Sequence, residues 1–78
     1  MLGFPKYKRD DMVTFKFRRN GQDIVITGKV FIIDPFGTFD QTAEVSYDVI
    51  APDPWNRGEI CLFKHVPESN IINSVILL

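Results

Sequence analysis

The chain has 78 residues, a formal net charge of −1 and a hydrophobic content of 45%. This length allows one domain with a small core, and the composition argues against disorder. The single cysteine, Cys61, and the single histidine, His65, exclude an internal disulfide framework and are too few for a zinc site. We therefore expect a soluble cytoplasmic protein without a cofactor, since neither a secretory signal nor an apolar stretch of about 20 residues is visible.

Charge is distributed unevenly along the chain. The first 19 residues carry a net charge of +4, and the remainder carries −5. The basic residues of the first part are Lys6, Lys8, Arg9, Lys16, Arg18 and Arg19. Such asymmetry is typical either of a polyanion partner or of a solvated basic face.

Residues 1–10 are predicted to form a leading arm, and residues 11–78 the folded domain. Pro5 disfavours a helix in the arm. Phe4 and Tyr7 are placed so that they could fold back and cover an open end of the domain.

The first strand is predicted over residues 11–18, where apolar and polar side chains alternate. Its inward-facing residues are Val13, Phe15 and Phe17. The Asn20-Gly21 pair that follows predicts a type I′ hairpin turn, because both of its central positions need a positive φ. The first two strands should therefore pair antiparallel.

The second strand is predicted over Gln22–Asp34 and is the element around which we expect the domain to be arranged. Thirteen residues make a straight strand of about 43 Å, whereas a compact chain of this length has a radius of gyration of roughly 11 to 12 Å. Gly28 lies at the middle, where a missing Cβ lets the strand bend and serve two partners in succession. The residues expected on its inner face are Ile24, Ile26, Val30 and Ile32.

The second half of the chain predicts three further strands separated by irregular segments. The third strand, residues 44–50, should bury Val45, Tyr47 and Val49 and turn Ser46 and Asp48 outward. After a loop over residues 51–59, which holds Trp55, a short fourth strand covers residues 60–65. A single 3₁₀ turn follows within residues 66–70, and the last strand runs from Ile71 to Leu77.

Five short strands, a bent second strand and one 3₁₀ turn before the last strand resemble a small, strongly bent SH3-like β-barrel. The stretch from Val66 to Ile71 is similar to the Pro-Ser-Asn-Tyr-Val element of SH3 domains, and Asp11, Val13, Gly28 and Val30 resemble positions of KOW modules. The aromatic motifs that bind proline-rich peptides in SH3 domains are absent, so the resemblance does not imply that ligand. The chain also resembles small uncharacterised proteins of Gram-positive bacteria and their mobile elements, which implies no activity.

Catalysis is not expected. Cys61 and His65 form the only pair of a thiol and a base, but four residues of extended strand separate them by roughly 13 Å. Cys61 is interpreted as a small core residue, and His65 as a strand-end residue hydrogen-bonded to backbone. No phosphate-binding glycine loop is present.

Two binding hypotheses remain. The first is a protein-interaction module that uses the loop aromatics Phe36, Phe39 and Trp55, unless these rings only cover the ends of the barrel. We expect the Trp55 indole to be at least partly exposed. The alternative is nucleic-acid binding through Lys16, Arg18 and Arg19, although a pI near 5.6 is unusual for such a domain. A homodimer could form through the edge from Ile71 to Leu77.

Overall fold

The computed structural model describes residues 2–37 and 44–75, and these form one antiparallel sheet. The strands and the turn are β1 (Met12–Arg19), β2 (Gln22–Asp34), β3 (Ser46–Pro52), β4 (Ile60–Pro67), the 3₁₀ turn η1 (Glu68–Asn70) and β5 (Ile71–Val75). Their order in the sheet is β4-β3-β2-β1-β5. The all-β class and the single 3₁₀ turn before β5 are confirmed. Among the described residues β4 and β5 do not pair, so the sheet is open.

β1 and β2 form the predicted hairpin. Their register runs without interruption from Met12 opposite Lys29 to Arg19 opposite Gln22. Asn20 and Gly21 have φ angles of 52° and 78°, as a type I′ turn requires. Alternation along β1 buries Val13 and Phe15 completely and Phe17 partly, which confirms the inner face of this strand.

β2 changes partner at its centre. Residues 22–29 pair with β1, residues 29–34 pair with β3, and Lys29 lies opposite both Met12 and Ile50. A Cβ on the neighbouring Gly28 would lie 2.5 Å from the Ile50 carbonyl oxygen and 2.7 Å from the Ala51 Cβ. A glycine is therefore required at residue 28 by the close approach of β3, next to the residue at which β2 passes from one partner to the other.

The sheet curls strongly. β1 and β4 are separated by two strands in the sheet, which in a flat sheet would place them about 14 Å apart. The Phe63 ring of β4 nevertheless lies 5.5 Å from the Phe15 ring and 5.1 Å from the Phe17 ring of β1. The core is thus enclosed by the inner faces of opposite parts of one bent sheet.

The prediction for Ile32 is wrong. Val30 pairs with Val49 and Ile32 with Asp48, so Phe31 is an additional residue that forms a β-bulge. A one-residue insertion reverses the faces of all residues that follow. Ile32 is therefore 47% exposed, and Ile33 packs against the core in its place.

Val45, which directly precedes β3, is buried as predicted, and so are Tyr47 and Val49 of β3, but the prediction that Ser46 faces outward is wrong, because this residue is buried as well. Ser46 lies opposite Asp34 of β2 and Pro67 of β4. β1 and β3 start one and two residues later than expected, and β4 continues to Pro67. Residues 76 and 77 of the predicted last strand lie outside the described residues.

The arm is tied to the domain through Tyr47. The buried Tyr47 hydroxyl donates to Glu68 Oε2 at 2.6 Å and accepts from the backbone N–H groups of Lys6 at 3.1 Å and Tyr7 at 3.4 Å. The Tyr7 ring packs edge-on against the Tyr47 ring at 5.7 Å. Tyr7 thus covers the core as expected, whereas Phe4 is exposed. In the described ranges 2–37 and 44–75 no helix is long and apolar enough to cross a membrane.

Replacement of Gly28 by alanine should destabilise the domain by about 1 to 3 kcal/mol, because the new Cβ would overlap backbone that cannot move away freely. Denaturant unfolding measures the change. Gly3→Ala is the matched control, since a Cβ there meets only Val45 Cγ2 at an ordinary 3.7 Å. Equal unfolding midpoints for the two variants would contradict the close-approach argument.

Tyr47→Phe should cost about 1 to 2 kcal/mol, because it removes the hydrogen bonds of the hydroxyl to Tyr7 and Glu68, whereas the Lys6 N–H keeps a second acceptor, Glu68 Oε2, at 3.2 Å. Burial and the hydrogen bond to Glu68 raise the pKa of Tyr47 above its ordinary value of 10.0. The unfolded chain therefore loses this proton first as the pH rises, and stability should fall above the ordinary tyrosine pKa. The variant should lack this part of the alkaline destabilisation. Denaturant unfolding at neutral and alkaline pH measures the difference. If the wild type and Tyr47→Phe lost the same free energy of unfolding at alkaline pH, the raised pKa of Tyr47 would be contradicted.

Candidate functional site

One cluster combines the exposed side chains of Trp55 and Arg19 with the rings of Phe17, which is partly buried, and Phe63, which is buried. We call it the Trp55 surface and define it as Phe17, Arg19, Trp55 and Phe63. The Trp55 ring lies 5.9 Å from the Phe17 ring and 6.5 Å from the Phe63 ring. The Arg19 guanidinium carbon lies 4.0 Å from the centre of the Trp55 ring. Trp55 is 43% exposed, as the expectation of partial exposure required.

The local sequence explains how these side chains meet. Phe17 and Arg19 continue the inner face of β1 beyond the buried Phe15, so Arg19 lies where the core reaches solvent. Phe63 comes from β4, which the curl of the sheet brings over β1. Trp55 lies in the loop after β3, where its ring packs at a tilt against the rings of Phe17 and Phe63. The Arg19 guanidinium lies over the Trp55 ring.

The loop that holds Trp55 is organised by Asp53. Asp53 Oδ1 accepts from the backbone N–H groups of Trp55 at 2.8 Å and Asn56 at 3.2 Å, and Oδ2 accepts from Asn56 Nδ2 at 3.1 Å. The Asp53 N–H donates to the Glu59 carbonyl at 2.9 Å, and Gly58 supplies a φ of 85°. Each of these bonds limits the movement of the loop.

The electrostatics favour the same arrangement. The hydrogen bond from the Asn56 side chain, those from backbone N–H groups and the charge of Arg19 lower the pKa of Asp53. The carboxylate is therefore ionised at neutral pH and accepts hydrogen bonds through both oxygens.

The structure separates the three basic residues that the sequence grouped together. Lys16 and Arg18 lie on the outer face of β1, where Arg18 forms an exposed ion pair with Asp23 at 3.1 Å. Arg19 lies on the opposite face, over Trp55. These side chains do not form one basic patch, because adjacent residues of a strand point to opposite sides.

The three aromatic residues of the first hypothesis are not all brought together either. Phe36 is 66% exposed and follows the end of β2 that pairs with Ser46. Trp55 follows the other end of β3, which is about 20 Å away along a strand of this length. Phe39 lies outside the described residues.

Cys61 and His65 occupy unrelated positions. Cys61 faces the core and is partly buried. His65 is not at the end of β4 but at a bulge opposite Asp48, with a φ of 57°. Its N–H donates to Asp48 Oδ1 at 3.0 Å rather than to backbone, and its buried Nδ1 has no hydrogen-bond partner among the described residues. Within residues 2–37 and 44–75, no group of three or more His, Cys, Asp or Glu side chains is placed so that it could bind a metal ion.

Sequence reasoning missed the contact between Arg19 and Trp55. The available signal was parity, since Arg19 has the same parity as Val13, Phe15 and Phe17 and therefore the same face. The position of Trp55 over that face depends on the curl of the sheet, which no local pattern reports. Comparison with protein-family models, curated proteins and solved structures found no match to this chain.

Trp55→Ala should destabilise the domain by about 1 to 2 kcal/mol, because the half-buried indole leaves two phenylalanine rings partly uncovered. Phe36→Ala is the control, and at this more exposed position the change should stay within about 0.5 kcal/mol. Denaturant unfolding, followed by circular dichroism, compares the two. Equal costs would show that Trp55 does not pack as described.

Proposed function

We propose that this chain is a non-enzymatic protein-interaction module and that the Trp55 surface is its contact region. The observation that carries the proposal is the Arg19 guanidinium stacked 4.0 Å from the centre of a half-exposed indole. Tryptophan and arginine are the residue types most enriched among those that dominate binding energy at protein interfaces. Here both are exposed and adjacent.

The order of the surface supports this role. A binding residue that is already held in place loses little conformational freedom when a partner arrives. Asp53 fixes the loop through three hydrogen bonds, and the rings of Phe17 and Phe63 support the indole from below. The stacked Arg19 keeps N–H groups at its edge, which can donate to a carboxylate or a carbonyl of the partner.

The fold proposal is an SH3-like barrel. It is supported by five strands, a second strand that passes from β1 to β3 next to Gly28, a 3₁₀ turn before β5 and the contact between Phe17 and Phe63 across the curled sheet. We further propose a bacterial, cytoplasmic protein, for which the free Cys61 is consistent with a reducing compartment.

The contact region proposed here differs from the aromatic set suggested by the sequence. Trp55 acts with Arg19 of the first hairpin, while Phe36 lies beyond the opposite end of β3. The proposed contact region therefore contains one residue from each hypothesis, Trp55 from the protein-binding set and Arg19 from the nucleic-acid-binding set. A nucleic-acid ligand is the weaker alternative, because Arg18 is paired with Asp23 and only Arg19 of the basic set lies at this surface.

The test compares Arg19→Gln with Arg18→Gln. The two variants make the same chemical change at adjacent positions on opposite faces of β1, so they have equal net charge. The tagged domain captures proteins from the cells of origin, and a purified captured partner is then titrated against both variants. We expect Arg19→Gln to weaken binding by about tenfold or more and Arg18→Gln to leave it nearly unchanged.

Because Trp55 is the single tryptophan, its fluorescence reports directly on the proposed contact region. Binding at the Trp55 surface should protect its fluorescence from acrylamide in the wild type. Equal losses of partner for both variants, or full quenching in the complex, would contradict the proposal. In the nucleic-acid alternative both variants would bind oligonucleotides less well, with a salt slope of about −0.9 per phosphate contacted on duplex DNA.

A further inference from the structure

The outer edge of β4 offers backbone hydrogen-bonding groups to a further strand. β4 is a terminal strand of the sheet, and no other strand within residues 2–37 and 44–75 pairs with its outer side. Natural edge strands are usually blocked by bulges, prolines or charged side chains. In β4 these features lie in the second half, at Lys64, the His65 bulge and Pro67. The first half, from Ile60 to Phe63, has none.

The register identifies which groups point outward. In antiparallel pairs, hydrogen-bonded and non-hydrogen-bonded residue pairs alternate. The Asp53 N–H is bonded to the Glu59 carbonyl, and Pro52, opposite Ile60, has no N–H to donate. Ile60 and Leu62 therefore direct their N–H and C=O groups away from β3, toward the free edge.

The side chains at this edge are also apolar. Ile60 is 75% exposed and Leu62 is 41% exposed, and both lie on the outer face beside Ile50. Such a combination of unpaired backbone and exposed aliphatic side chains is what a pairing strand requires.

We propose that β4 pairs antiparallel with β4 of a second copy of this chain, about a two-fold axis that passes between the two copies of Cys61. In this register Ile60 lies opposite Leu62 of the partner subunit, and Leu62 opposite Ile60 of the partner subunit. Each of these pairs can form two backbone hydrogen bonds, because both residues carry outward-directed groups. The dimer joins two sheets of five strands into one of ten.

The sequence of β4 favours a second copy as the occupant, because the strand is complementary to itself. The register that centres on Cys61 matches apolar with apolar residues at residues 60, 61 and 62 of each copy. It places Lys64 opposite Gly58 of the partner subunit, so like charges do not face each other. A shift by one pair would instead oppose Ile60 to Lys64 of the partner subunit.

The first test is the oligomeric state by analytical ultracentrifugation from micromolar to millimolar concentration. We expect a concentration-dependent dimer, since a strand-to-strand contact is smaller than the roughly 1,200 Å² of a stable interface. Ile60→Lys should raise the dissociation constant by at least about tenfold, because it buries a charge at the centre of the contact. Ile72→Lys is the matched control, as Ile72 is 51% exposed on β5, at the opposite edge of the sheet.

The native cysteine provides an independent test of the register. The two copies of Cys61 would form a non-hydrogen-bonded pair with Cα atoms about 4.5 Å apart, which is within the range of disulfides. Diamide, which takes the two electrons and two protons of the thiols, should link the wild type and Ile72→Lys as dimers but not Ile60→Lys. Hydrogen exchange of the Ile60 and Leu62 amides should slow at high concentration.

Three results would overturn the proposal. They are a wild-type monomer at millimolar concentration, a dimer broken by Ile72→Lys but not by Ile60→Lys, and unprotected Ile60 and Leu62 amides in the dimer. The second result would assign the contact to the edge that begins at Ile71. Circular dichroism of both variants separates loss of dimer from loss of folding, and hydrogen exchange needs no variant.

Discussion

The close approach of β3 to Gly28 is the constraint on which the other features of this domain depend. Because residue 28 has no Cβ, the Ile50 carbonyl and Ala51 can pass directly over β2. β2 can then pair with β1 in its first half and with β3 in its second. The curl of the sheet brings Phe63 of β4 to Phe17 of β1, although two strands lie between them. The two rings against which Trp55 packs therefore meet only because the sheet curls.

The hydrogen bonds of the Tyr47 hydroxyl hold the N-terminal arm, which is not part of any strand, against the domain. The Tyr47 hydroxyl joins the arm, β3 and the 3₁₀ turn, because it donates to Glu68 and accepts from two arm N–H groups. The Glu68 N–H in turn donates to the Val45 carbonyl at 2.9 Å. Since every group involved gains a partner, a buried hydroxyl at this point stabilises the fold instead of weakening it.

The parts of the fold that local chemistry determines could be predicted from the sequence. Alternation located β1, Asn20-Gly21 located the hairpin, and Gly28 located the region in which β2 passes from β1 to β3. The bulge at Phe31 could not be predicted, because Phe31 continues the apolar run of β2 and nothing in the local sequence interrupts it, and this one insertion exchanged the faces of Ile32 and Ile33. The Trp55 surface depends on contacts between segments that are distant in the sequence. The sequence therefore indicated that Trp55 is partly exposed, but it did not indicate that Arg19 is its partner.

The separation of Arg18 from Arg19 also shows why uneven charge along a sequence need not produce a charged surface. The basic residues of the first quarter point in several directions. Arg9 lies over the Phe31 ring at 5.7 Å, Arg18 pairs with Asp23 on the outer face, and Arg19 stacks on Trp55. A polyanion would have to contact several faces at once to neutralise them. A partner that places one acceptor beside Arg19 and an apolar group on Trp55 needs only one surface, which is why the protein-binding proposal requires fewer assumptions about the ligand.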